Sequence, residues 1–231
     1  MGHRSSNLGP APTDPPSTLG ATELGQAITV RPAGPEDFPA IAALMVECFP
    51  REFGLLFGNR LEAASAVVEE VLRFESGAGL HAFAAQGSAS VVGMLLLESA
   101  HRTRITERWA AMWRIARYKV GLCYVPRLLL GIALPSYDAR PAEAYIGAIG
   151  VTSGARGRGA GTRLLQAAET WARDNHMRRL GLHVSSGNPG ARTLYRRVGF
   201  RERSEETHLL ASLLLGQPAI IYMAKDLEDS P

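Results

Sequence analysis

Apolar and polar positions along this chain alternate in short runs or recur at helical spacing, and the two periods locate most of the elements. Ile28-Thr29-Val30-Arg31 reads as a short strand. Gly34-Pro35 then predicts a helix start, with Pro at the first helical position and acids following in the first turn. Ile41, Leu44, Met45 and Cys48 recur at helical spacing, which carries that helix to about Phe49. A second helix is predicted over Arg60 to Phe74. Strands follow at Leu80–Gln86 and Ser90–Glu98, with Gly87-Ser88 between them as a hairpin turn.

From Arg102 to Val120 the residues Ile105, Trp109, Met112, Trp113, Ala116 and Val120 share one helical face among many basic residues. That is a basic amphipathic helix. Val120–Leu134 is mostly apolar but holds Pro126 and Arg127, so it falls short of the roughly 18–20 apolar residues a membrane span needs. The segment of about 101–140 is therefore read as a helical insertion lying against the domain. A membrane-surface role for it is the weaker alternative.

The rest of the chain alternates cleanly. Ala144–Val151 is a strand, Gly161–Asn175 a helix, Leu180–Ser185 a strand and Pro189–Val198 a helix stopped by Gly199. Strands near Arg201–Thr207 and Ile220–Asp226 complete the pattern. Residues 1–26 are rich in Pro, Gly, Ser and Thr and are expected to stay disordered, which leaves 27–231 as a single domain.

Composition narrows the function classes. With 46% hydrophobic and 20% charged residues the chain is an ordinary globular protein. A net charge of +3 is too small an excess to argue for nucleic acid, and suits an anionic small molecule. Cys48 and Cys123 give neither a disulfide framework nor metal-ligand spacing, so no metal is expected. The N-terminus lacks the apolar run of an export signal, so the cytoplasm is the expected location.

The strongest chemical signal lies between the strand at 144–151 and the helix that follows. Arg156-Gly157-Arg158-Gly159-Ala160-Gly161 places three glycines at alternate positions before a helix start. Glycine allows positive φ and close backbone approach. The first N–H groups of the helix have no internal acceptor, and with the helix dipole they form an anion site. Arg156, Arg158 and Arg163 add charge suited to phosphate oxygens. A P-loop would need Lys before Thr162, and a dinucleotide fingerprint from Gly157 and Gly159 would need Gly at 162; neither is present.

With the adjoining residues, this loop resembles the GNAT N-acetyltransferase superfamily. It fits that superfamily's Arg/Gln-x-x-Gly-x-Gly/Ala pattern, supported by Ile149-Gly150-Val151 upstream and Leu164-Leu165 downstream. Leu182-His183-Val184, Asn188, Ala191, Leu194-Tyr195 and Gly199-Phe200 resemble its second motif. The likeness is dense over 143–226, looser over 28–99 and absent from 1–26. It implies a mixed α/β fold: a mostly antiparallel twisted sheet of six to seven strands, helices on both faces, and one parallel pair flanking the cofactor.

The resemblance further implies acetyl-CoA as acyl donor and a small-molecule amine or peptide as acceptor, with homodimerisation common in the superfamily. The pantetheine arm would pair with backbone around Ile149, Gly150 and Val151, with Gly147 and Gly150 suited to a bulge or close approach. The pyrophosphate would rest on the N–H groups of Arg156, Gly157, Arg158, Gly159, Ala160, Gly161 and Thr162. Asn188 matches a cofactor-contacting Asn, although Asn-Pro-Gly-Ala also opens a helix with Asn as its cap. Tyr195 matches the general acid that protonates the departing thiolate, with core packing as the other reading. Glu143, at the start of the strand before the loop, matches the common place for a base; a solvated strand-end carboxylate is the alternative. His183 is its rival, against the reading of a satisfied sheet histidine. A non-catalytic acyl-CoA sensor remains the alternative at the level of function.

Overall fold

The computed structural model describes residues 28–76, 79–88, 90–99, 140–206 and 219–227. Both the expected tail and nearly all of the basic amphipathic insertion lie outside these residues. Among them are seven strands and five α-helices. The strands are β1 (Thr29–Pro32), β2 (Leu80–Gln86), β3 (Val91–Ser99), β4 (Glu143–Val151), β5 (Arg179–Ser185), β6 (Arg201–Glu206) and β7 (Ile220–Asp226). The helices are α1 (Phe38–Cys48), α2 (Pro50–Phe57), α3 (Leu61–Glu75), α4 (Ala160–Asp174) and α5 (Pro189–Arg197).

The strands form one sheet in the order β1-β2-β3-β4-β5-β7-β6, antiparallel throughout except for β4 and β5. This is the mixed, mostly antiparallel sheet that the family resemblance implies. β3 shows why a strand can be apolar on both faces. Met94 and Leu96 pack with Ile41, Leu44, Val68 and Leu72 of α1 and α3. Leu95 and Leu97 pack on the other side with Leu164, Leu165 and Ala168 of α4. Successive strand side chains point to opposite faces, so both stripes of β3 are buried. Each fully buried leucine contributes roughly 1.5–3 kcal/mol, and helices on both faces are thereby fixed to one sheet.

Helix α1 starts three residues later than the Gly34-Pro35 signal suggests. The carboxylate of Asp37 accepts bonds from Arg31 Nη1 and Nη2 at 2.6 and 2.7 Å and from Gly34 N–H at 2.9 Å. Those bonds close a turn over 34–37, and Pro39 rather than Pro35 occupies the first helical turn. The guanidinium of Arg31 holds the Asp37 carboxyl below the usual carboxylate range. Helix α2 follows α1 after a single residue, Phe49, because Pro50 cannot continue a helix but can begin one.

One lysine ties together the elements around the second motif. Lys225 Nζ of β7 donates to Glu169 Oε2 of α4 at 2.7 Å and to the Val198 carbonyl at the end of α5 at 2.9 Å. Among the described residues no helix is long and apolar enough to cross a membrane.

Candidate functional site

The site begins where two parallel strands stop touching. β4 pairs with β5 from Glu143↔Arg179 to Ile146↔Leu182 and no further. Beyond that point β4 stays with β3 as far as Val151, and β5 stays with β7 as far as Ser185. The parting coincides with an irregularity in β3–β4 pairing: Leu96 faces Ala148 and Leu97 faces Ile146, so Gly147 is the extra residue of a bulge. A bulge bends its strand and increases local twist. A cavity of about 490 Å³ fills the resulting gap. Its walls are Ile146–Ile149 of β4, Leu182–Ser185 of β5, and Asn188, Ala191 and Tyr195 from α5 and its cap. Cys48 and Phe49–Glu52 close the other side.

The glycine loop leads out of this gap. After β4 a single turn over Ser153–Ala155 places Arg156, Gly157, Arg158 and Gly159 on the surface. Gly157 and Gly159 have φ of +76° and +84°, and Gly159 is the left-handed cap of α4. A Cβ at either would meet nothing within 4 Å, so φ, not crowding, selects glycine there. Ala160 is buried, while Gly161 and Thr162 are partly exposed in the first turn of α4. Gly161 lies against α5, where a Cβ would stand 3.1 Å from Leu194 Cδ2. First-turn N–H groups, three arginines and an open surface suit a pyrophosphate, and the adjoining gap suits a narrow amide-bearing arm.

Within the gap, Ile149 lines the cavity and Val151 does not. The Val151 carbonyl accepts a hydrogen bond from Arg156 Nε at 3.2 Å. Gly150 is buried against helix α1, where a Cβ would stand 2.8 Å from Cys48 Sγ. Asn188 caps α5, its Oδ1 accepting from Ala191 N–H at 3.0 Å, and also lines the cavity. The two readings of Asn188, cap and ligand contact, are thus compatible.

Tyr195 is 6% exposed and lines the cavity, with its ring 6.0 Å from that of Phe200. Its hydroxyl has no hydrogen-bond partner among the described residues. Burial pushes the phenol up to about 12, so it stays neutral and holds its proton at physiological pH.

Glu143 stands elsewhere. It is 1% exposed and is not among the residues lining the cavity. Its Oε1 accepts from the Tyr222 hydroxyl and its Oε2 from Arg140 N–H at 3.0 Å. The reading of a solvated strand-end carboxylate fails, because β5 and β7 cover the start of β4. Glu143 therefore stands behind the cavity wall rather than on it. His183 does line the cavity, and its Nδ1 lies 3.0 Å from Tyr145 Oη.

Sequence reasoning missed three contributors. Cys48 and the α2 segment Pro50–Glu52 line the cavity, and the Phe49-Pro50 break was the available signal. Tyr222 reaches Glu143 across 79 residues of sequence, and no local pattern announces that. Although Cys48 faces the cavity, burial, and then the nearby Glu47, push its thiol up, which leaves it unactivated as a nucleophile. No group of three or more metal-ligating side chains occurs among the described residues.

Comparison with known proteins agrees with this geometry. The family described as Acetyltransferase (GNAT) matches residues 39–200. A crystal structure of an acetyltransferase is 25% identical over 87% of this chain and 100% of its own, with a TM-score of 0.65. Two others share the fold at lower identity. The structure titled histone acetyltransferase HPA2 and related acetyltransferase, from Corynebacterium glutamicum, is 21% identical, covers 89% of this chain and 99% of its own, and has a TM-score of 0.61. A Bacillus subtilis acetyltransferase solved with CoA is 13% identical, covers 87% of this chain and 100% of its own, and has a TM-score of 0.52. No curated protein matches the chain.

Proposed function

The chain belongs to the GNAT acetyltransferase family, and from that premise we propose that it moves an acetyl group from acetyl-CoA to a primary amine. The acceptor is a small molecule or a peptide, and attack is direct, within a ternary complex. The observation that carries the reading is the Tyr195 hydroxyl: buried, neutral, without a partner among the described residues, and set in the cavity between the splayed strands.

The residues fit the donor in three places. The α4 first turn and Arg156, Arg158 and Arg163 receive the pyrophosphate. The freed edge of β4 around Ile149 offers backbone to the pantetheine amides, and Arg156 must release the Val151 carbonyl if that group is used too. The bound donor supplies an activated thioester carbonyl. A backbone N–H near Ile149 steadies the developing oxyanion, and Tyr195 gives its proton to the departing sulfur. The raised Cys48 thiol agrees with direct transfer over an acyl-enzyme. Glu143 acts from behind the cavity wall, as a carboxylate that orients Tyr222.

The test is thiol release from acetyl-CoA with a panel of polyamines, aminoglycosides, amino acids and short peptides, alongside calorimetric CoA binding. Amine-dependent release supports the proposal. Tight CoA binding without release for any amine supports the sensor reading instead.

A further inference from the structure

His183 is the first β5 residue beyond the last β4–β5 pair, Ile146↔Leu182, so it stands at the fork of the gap and lines its cavity. It is partly exposed there. Its ring is held from two sides. Tyr145 of β4 places Oη 3.0 Å from Nδ1. Tyr222, its register partner on β7, places its ring centroid 5.1 Å away and donates its hydroxyl to Glu143. Gly181, two residues before His183 on the same sheet face, makes room for this arrangement. A Cβ there would stand 2.1 Å from Glu143 Oε1 and 3.0 Å from Tyr222 Oη. A histidine that only packed in a sheet would need neither the cavity nor this support.

We propose that His183 is the general base that takes the proton from the acceptor nitrogen, and that Tyr145 is the positioning residue that fixes its tautomer. This rests on the acetyltransferase reading above. With Nδ1–H donating to the Tyr145 oxygen, Nε2 keeps its lone pair for the acceptor. The amine enters neutral, having given one proton to solvent. Its nitrogen bonds to the thioester carbonyl carbon, and the surplus proton on nitrogen passes to Nε2. The C–S bond then breaks with its electron pair going to sulfur, which takes the Tyr195 proton. Water carries the imidazolium proton back to the Tyr195 oxygen, so both groups are restored.

The charges around His183 bear on this step. Behind it lies Glu143, through Tyr222, and Arg140 sits over the Tyr222 ring at 5.5 Å. On β3, Glu98 pairs with Tyr145 and its Oε1 would stand 2.6 Å from a Cβ at Gly147. Arg51, Glu52 and Cys48 face the cavity from the α1–α2 side, and Tyr195 from α5.

The test compares full-length wild type with His183→Ala, His183→Gln and Tyr145→Phe. The readout is thiol release from acetyl-CoA against pH. The acceptor is whichever of spermidine, kanamycin, lysine and an alanine-initiated peptide wild type uses fastest. We expect both His183 variants to lose about 100-fold or more in kcat with unchanged CoA affinity. The acid limb of kcat/KM should disappear, and added imidazole should restore part of the His183→Ala rate. Tyr145→Phe should lose less and shift that acid limb. A His183 variant that keeps its rate and acid limb overturns the proposal, as does a loss accompanied by weaker CoA binding without imidazole rescue. If the His183 variants do not fold, an unmoved acid limb in Tyr145→Phe overturns it. Wild type that binds CoA but acetylates no amine fails the broader reading and this one with it; wild-type turnover with unaffected variants fails this one alone.

Discussion

The β4–β5 pair has a closed end and an open end, and a buried tyrosine stands at each. At the closed end Tyr222, 2% exposed, donates to Glu143, and the two fill the space left by Gly181. At the open end Tyr195, 6% exposed, has no partner for its hydroxyl among the described residues. Burying a hydroxyl without a partner costs about 1–3 kcal/mol, so the open end is held in a less favourable state than the closed one. Functional sites tend to keep such unfavourable groups while the surrounding structure supports them. The contrast separates a pair that fills the closed end from a hydroxyl left unanswered among the described residues at the cavity.

Breaking the contrast at the open end should give the largest effect. Tyr195→Phe is expected to lower kcat about 100-fold or more, or about 2.7 kcal/mol of transition-state stabilisation. CoA affinity should stay unchanged, and thermal unfolding should show equal or higher stability because an unanswered hydroxyl is gone. Wild-type turnover should show no alkaline loss from this residue below about pH 10, because its phenol is pushed up to about 12. The linkage has the matching sign: a folded pKa above the unfolded value gives stability that is complete below about pH 10 and is lost as pH rises through about 12. A Tyr195→Phe enzyme with full turnover would remove the acid assignment.

At the closed end the same chemistry should give the opposite stability result. Tyr222→Phe takes a donor from buried Glu143 and is expected to destabilise by about 1–3 kcal/mol. Gly181→Ala should cost about 1–3 kcal/mol by crowding that pair. Because both act on one contact, the double variant should lose less than the sum, measured by denaturant unfolding. Strict additivity would mean that Gly181 and the pair are independent. The smallest effect is expected at the loop, where Gly159→Ala forces φ of +84° on a residue with a Cβ. About 1 kcal/mol of stability should go, together with a several-fold weaker CoA affinity and no change in packing.

How much of this the sequence carries depends on distance along the chain. β2 and β7 are readable to their ends, because alternation and turn residues are local. The glycine loop, the α4 start, Asn188 as cap and Tyr195 within its motif are readable for the same reason. The start of α1 is misread because the carboxylate of Asp37 is drawn off by Arg31, a tertiary contact that outweighs the Pro35 signal. Glu143 is readable as a residue at the right end of the right strand. Its burial beneath Tyr222 is not, since that partner is 79 residues away. His183 looks like an ordinary sheet histidine until the parting of β4 from β5 is seen, and no residue pattern announces where two paired strands separate.

The position of β7 has a consequence for how the molecule is made. It lies between β5 and β6 although it follows both in the chain. A ribosome that has released everything up to β6 therefore displays two strands with unanswered edges and no neighbour for β6. Tyr222 is still missing from behind His183, and Lys225 has not yet fastened α4 to α5. Exposed edges of this kind invite pairing with other chains. Insertion of one late strand closes both edges and, in the same step, brings Tyr222 and Lys225 to the places they hold in the sheet.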